Sequence, residues 1–266
     1  MTYPRTILAA AAAACFLLSA PLAMAQAEPA QLGALAPENL KKPRPKAPFN
    51  LTGTWIHEAG KTDAHPANSF RFGPPYPTFK PEAQAEFDAG TKATAEHRAY
   101  KDYIGQCYPA GMPVIMTRVW PIAMVQLPTA IYMVSGFENA FRTIYIDGRK
   151  HMDPDLVVRS FNGESIGHWD GDALVVDTTA FDPEHHTIDV GVPISDQFHI
   201  VERIRLINKG STLEIAYTMT DPKMWDGEWK STKYFRRVDD QDIVEVECQP
   251  DLDAHLPATS SKLNVR

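Results

Sequence analysis

The chain has 266 residues, 44% of them hydrophobic and 22% charged, with a formal net charge of -7 and a pI near 5.7. That balance suits a folded protein large enough to bury a substantial core. It argues against a nucleic-acid binder, because neutralising phosphates needs a basic face that this composition does not supply.

Residues 1–25 read as a secretory signal peptide: Arg5 precedes an apolar run from Ile7 to Leu18, and Ala23-Met24-Ala25 has the small-x-small form of a cleavage site. Ser19 and Pro21 keep that run short of the roughly 20 residues a membrane helix needs, so no stable membrane span is expected. The expected location is periplasmic or secreted. Removing the signal takes Cys15 with it and leaves Cys107 and Cys248. In an oxidising compartment these permit one bridge, contributing about 4–5 kcal/mol on the chain-entropy view; two buried thiols are the alternative.

Residues 26–50 are rich in Ala, Pro and Lys, and the alternating prolines in KKPRPKAP predict an extended arm. A β-rich domain is expected over 51–250, followed by a C-terminal tail over 251–266. It opens on Gly53-Thr54-Trp55, which resembles the Gly-x-Trp start of lipocalin-type barrels, where Trp plugs the closed end. Residues 70–78, FRFGPPYPT, form an aromatic, proline-rich loop suited to covering a surface or framing a pocket mouth. The spacing predicts one helix over 81–103, with Pro81 in the first turn and a thin apolar stripe of Ala85, Phe87, Ala93 and Tyr100 that would lie on the barrel surface.

From Cys107 onward, short β-branched and aromatic runs predict strands over 114–119, 123–127, 131–134, 141–146, 173–179, 198–208, 212–220, 228–238 and 243–248. Turn signals such as Asp147-Gly148, Asp170-Gly171 and Asp226-Gly227 separate them. The fold expected is mainly β, an antiparallel calycin-like barrel, with a β-sandwich as the alternative.

Strand alternation assigns faces. Phe198, Ile200, Glu202, Ile204 and Leu206 share one face, while His199, Val201, Arg203 and Arg205 share the other. Glu202 is then the one acid on the apolar side, a setting for a general acid or base, or else for an ion pair with an arginine of a neighbouring strand. Arg142, on the face of Ile144 and Ile146, is a candidate for that cation or for an anionic substrate. The candidate catalytic residues are Glu202, His199, His186 and Asp189. Candidate substrate contacts are Arg142, Tyr145, Trp169 and Arg203. His199 and Glu202 point to opposite sides unless a bulge turns one of them, and His186 with Asp189 is the other way to complete an acid–base set. Val175, Asp177 and Thr179 share one face of 173–179, where Asp177 either points into a cavity or lies at an edge near a turn. The His- and Asp-rich segment 182–199 raises zinc as an alternative, although its spacing matches no recognised zinc pattern. No cofactor is otherwise called for. Ser165 and Ser195 lack the nucleophile elbow G-x-S-x-G.

Several motifs together resemble a large family of exported bacterial β-rich proteins. These are Cys107-Tyr108-Pro109 with Gly111-Met112-Pro113, the run Arg142 to Arg149 (R-x-I-Y-x-D-G-R), and Ser165 to Thr178 (S-x-G-x-W-x-G-D-x-L-V-V-D-T). His199, Glu202 and Arg203 supply a final H-x-x-E-R. Glu164 and His168 depart from the pattern, standing where the family carries His and Arg. The resemblance implies an exported barrel-like fold and no particular reaction. The function expected from the residues is a cofactor-independent lyase or hydrolase using acid–base chemistry on a small apolar or aromatic molecule. A periplasmic carrier with the same pocket is the alternative.

Overall fold

A computed structural model describes residues 31–43, 49–58, 70–189, 191–246 and 248. The signal segment, most of the Lys-Pro run and the C-terminal tail lie outside the described residues. The elements in chain order are α1 (Pro37–Leu40), β1 (Gly53–His57), β2 (Thr78–Phe79), α2 (Pro81–Ala95), β3 (Ile122–Gln126), β4 (Ala130–Ser135), β5 (Phe141–Tyr145), β6 (Glu164–Asp170), β7 (Ala173–Thr179), β8 (Thr187–Ile188), β9 (Val192–Pro193), β10 (His199–Ile207), β11 (Thr212–Thr220), β12 (Trp225–Asp226) and β13 (Trp229–Val238).

The fold is mainly β, a closed barrel in the order β1-β13-β11-β10-β7-β6-β5-β4-β3, with β3 pairing back onto β1. Closure pairs each barrel strand on both sides, most weakly between β5 and β6. Every pairing in the barrel is antiparallel except β5 with β6. That parallel pair requires a crossover, residues 146–163, and its ladder joins only Ile144 to Ser165 and Tyr145 to Ile166. Beside the start of β5, the Asn162 side chain bridges the opening by donating from Nδ2 to the Phe141 carbonyl at 2.9 Å.

Inward positions fill the lumen. Leu174 and Val176, Ile200 and Ile204, Leu213, Ile215 and Met219, and Phe235 are all buried in one continuous core. Trp55 is fully buried, its Nε1 donates to the Leu51 carbonyl at 3.0 Å, and the Arg237 guanidinium covers its ring at 4.5 Å. Arg237 also donates to the carbonyls of Thr52 and Asn50, tying the last strand to the first.

Four local expectations differ from what is observed. Val114–Thr117 is a fully buried 3-10 turn, not a strand; its apolar run reflects burial on all sides, which periodicity does not distinguish from a sheet. The helix ends at Ala95, well before Tyr103, because His97 and Lys101 adopt left-handed φ of 54° and 44°. Lys101 nevertheless returns to Glu86 at 2.6 Å. Residues 243–246 carry no ladder; the segment is held by the Asn139 side chain, which donates to the Val246 carbonyl and accepts from its N–H at 2.6 and 3.2 Å. Within the arm read as extended, Pro37–Leu40 makes one helical turn, Pro sitting where the missing N–H costs nothing.

Helix α2 lies on the outside of the barrel, but it buries Ala83, Gly90 and Ala93; of the expected stripe, Ala85 is exposed and Tyr100 lies beyond the helix. Phe87 packs on Tyr76 and Phe79, which meet Trp229 at 5.5 and 6.1 Å. Gly191 lets the loop between β8 and β9 approach the helix: a Cβ there would lie 2.6 Å from the Glu86 carbonyl oxygen. The tryptophans Trp55, Trp225 and Trp229 are consumed by the core.

Candidate functional site

The two faces of β5, β6, β7 and β10 carry two polar systems. On the inner face Arg142, Ser165, Thr178 and Glu202 converge from four strands. The Arg142 guanidinium grips Glu202 through both Nη1, at 3.1 Å from Oε1, and Nη2 to Oε2. Its Nε donates to Ser165 Oγ and its Nη2 to Thr178 Oγ1, each at 3.0 Å. Glu202 is wholly buried and Arg142 nearly so. A buried pair persists when bidentate geometry and further hydrogen bonds replace the lost hydration, and here they do. Glu202 is therefore committed to Arg142 and is not presented to a substrate. Beside it, burial and the Glu202 charge hold the Tyr217 phenol well above its ordinary pKa, so it stays neutral.

On the outer face the same alternation exposes the neighbouring residues: Glu164 on β6, Asp177 and Thr179 on β7, His199 on β10. The crossover brings His151 over them. His151 Nδ1 lies 3.0 Å from Glu164 Oε2, its Nε2 2.9 Å from Asp177 Oδ1, and His199 Nε2 3.0 Å from Asp177 Oδ2. Two imidazoles and two carboxylates thus form an unbroken row, Glu164–His151–Asp177–His199. The Met152 N–H also donates to Glu164, at 3.0 Å to Oε2. An imidazole flanked by carboxylates at both nitrogens can donate to both only as the cation; the neutral ring satisfies one. For Asp177, partial burial pushes the pKa up, but hydrogen bonds from His199 and His151 outweigh it and hold the carboxyl below its usual range.

Glu164 also lines a cleft of about 760 Å³ over the β5–β6 opening. Phe141, Tyr145, Met152, Val158 and Phe161 make its apolar walls, and a disulfide between Cys107 and Cys248 with Val246 closes one side. Arg149 stacks over Tyr145 at 3.6 Å and pairs with Asp147 at 2.7 Å, fixing one rim. Its volume falls within the range of about 300–1,000 Å³ of small-molecule sites.

The structure joins Arg142 to Glu202 and separates the rest of the expected set. His199 points outward, away from Glu202, with no bulge to turn it. His186 is buried, its Nδ1 3.1 Å from the Asp182 carbonyl oxygen; burial pushes its pKa down to about 4, the carbonyls of Asp182 and Met112 pulling the other way, so it is neutral. Asp189 accepts from the Gly73 N–H at 3.2 Å and lies 3.8 Å from Arg71, at a different place. Tyr145 and Arg142 do line the cleft. Trp169 instead packs edge-on against Phe49, and Arg203 pairs with Asp170 at 2.6 Å. Ser195 donates to Asp221 at 2.6 Å, and Ser165 is held in the inner network, so neither is a free nucleophile.

His151 and Glu164 were not assigned a role from the sequence. The usable signal was that Asp177 and His199 fall on one outer face of paired strands, which leaves one face of Asp177 seeking a second donor. Among the described residues, no group of three or more His, Cys, Asp and Glu side chains is arranged to hold a metal ion, and no helix is long and apolar enough to cross a membrane. Compared with known protein families and with curated proteins, the chain matches none.

Proposed function

We propose that the chain is an exported, cofactor-independent lyase or hydrolase whose reaction takes place in the β5–β6 cleft on a small apolar or aromatic molecule. One observation carries this reading: the row Glu164–His151–Asp177–His199 runs without a break from a cleft-lining carboxylate to a part-exposed imidazole. Glu164 is the group that meets the substrate and takes the proton in the bond-breaking step. In its Nε2–H form His151 accepts that proton from Glu164 at Nδ1 and gives its Nε2 proton to Asp177. His199 in its Nδ1–H form takes it at Nε2 and releases a proton to solvent, which resets the carboxylate. Arg142 and Glu202 hold the wall behind the site. The motif residues that resemble the exported family gather on these same strands.

A carrier reading has its own support, since Glu164 already accepts from His151 and from Met152. Purified protein incubated with a panel of apolar and aromatic esters and hydroxy compounds separates the two. For an enzyme, Glu164→Gln keeps binding and loses turnover by about a hundredfold or more. Binding without product in both proteins would establish the carrier.

A further inference from the structure

Away from that cleft, the residue that follows the buried 3-10 turn stands apart from other cations of the barrel. Arg118 has no ion pair among the described residues, its Nε is buried with no hydrogen-bond partner, and its only ring contact is Phe137, 5.3 Å from the guanidinium carbon. Desolvation disfavours its charge, while Glu138, Asp102 and Asp189 act on it only at longer range. Each of those acids is engaged with a backbone amide, of Ala110, Gly105 and Gly73 respectively. A guanidinium remains charged in a protein, and this half-buried one keeps its Nε out of water with no carboxylate at ion-pair distance among the described residues.

It borders two adjoining clefts, of about 220 and 390 Å³, that share Arg71, Ile104, Arg118, Thr187 and Asp189. Phe70, Phe72 and Val114 give the smaller cleft an apolar wall. In the larger, Arg71, Arg98 and Lys101 pair with Asp189, Glu96 and Glu86, which leaves Arg118 as the cation with no ion pair among the described residues.

We propose that these clefts form a second binding site, in which Arg118 anchors the carboxylate of a small organic acid and the Phe70–Phe72 side receives its apolar body. A monoanion fits better than a phosphate dianion, because Asp102 and Asp189 line the same space and one cation is uncommitted. The planar fork of Arg matches a carboxylate with two parallel hydrogen bonds.

Benzoate serves as the probe, with benzamide and inorganic phosphate as comparators, followed by calorimetry and by the unfolding midpoint of the full-length protein. Benzoate is expected to bind and to raise the midpoint, with benzamide and phosphate much weaker. Arg118→Gln is expected to weaken benzoate about ten- to a hundredfold and, lacking an unpartnered charge, to unfold at no lower temperature than wild type without ligand. Arg118→Lys keeps the charge and loses the fork; it is expected to fold and to bind benzoate more weakly, which serves if the Gln variant does not fold. Glu164→Gln should leave benzoate binding unchanged, so this test stands apart from that of the proposed reaction. Benzoate binding that survives both Arg118 variants, or that disappears with Glu164→Gln, would overturn the proposal, as would phosphate binding as tightly as benzoate.

Discussion

The inner and outer faces of β5, β6, β7 and β10 hold their polar groups in opposite physical circumstances, with Glu202 and His199 only three residues apart in one strand. Inside, Arg142 and Glu202 are removed from water and every strong donor of the guanidinium is directed at an acceptor. Outside, Glu164, His151, Asp177 and His199 remain partly wet, and His151 has a carboxylate at each nitrogen. Complete pairing in a dry core fixes charge states and holds shape. Partial exposure with alternating acids and bases leaves a proton a place to go. On the proposed reading, chemistry is thus to be sought on the outer face, although the more buried carboxylate drew attention in the sequence.

The contrast breaks most visibly at the core. Glu202→Ala leaves the Arg142 charge buried without its partner and should lower the unfolding free energy by about 3–5 kcal/mol, read from urea denaturation. Arg142→Met combined with Glu202→Leu should recover most of that loss. A double variant as unstable as the single one would mean that the pair does more than satisfy itself.

A smaller effect comes from an interior group that does titrate. Burial pushes the Lys233 ammonium down to about 8 from 10.5, with Asp189 opposing. The folded state therefore disfavours the proton that the unfolded chain still binds, and stability should rise as pH climbs from about 8 to 10.5, by on the order of 3 kcal/mol. Lys233→Met should flatten the curve in that window; an unchanged slope would place the titration elsewhere.

The smallest change is expected outside. Asp177→Asn should cost at most about 1 kcal/mol at neutral pH, since solvent screens a partly exposed network. Because the folded-state pKa of Asp177 is lowered, its contribution is present above the unfolded value and is lost as pH falls through the folded one. The difference between wild type and variant should shrink in acid and in high salt. A loss as large as that of Glu202→Ala would erase the distinction between the faces.

Much of this was legible in the sequence where alternation is strict. In β10 the period of two assigned Glu202 inward and His199 outward, and Arg142 fell on the correct face of β5 to meet the acid. The barrel followed from short strands between turn signals. What escaped were features set by contacts distant in sequence. β6 contains Gly167 and several polar residues, and nothing local marks it as a strand; it is one because β7 pairs along its whole length. His186 and Asp189 looked like a reactive pair because they are close in sequence, yet one is buried among Phe161 and Phe181 and the other turns to Gly73 and Arg71. His151 enters the row only because the parallel β5–β6 pairing requires a crossover, which composition does not announce.

The bond between Cys107 and Cys248 has a practical consequence for any search for activity. It links residues 141 positions apart and supplies part of the cleft wall, while the barrel closes through hydrogen-bonded ladders that do not involve either cysteine. Protein produced in a reducing cytosol would thus complete its barrel and still lack one wall of the cleft, with the Val246 segment held, among the described residues, by the Asn139 amide. A negative assay on such material would report its redox history.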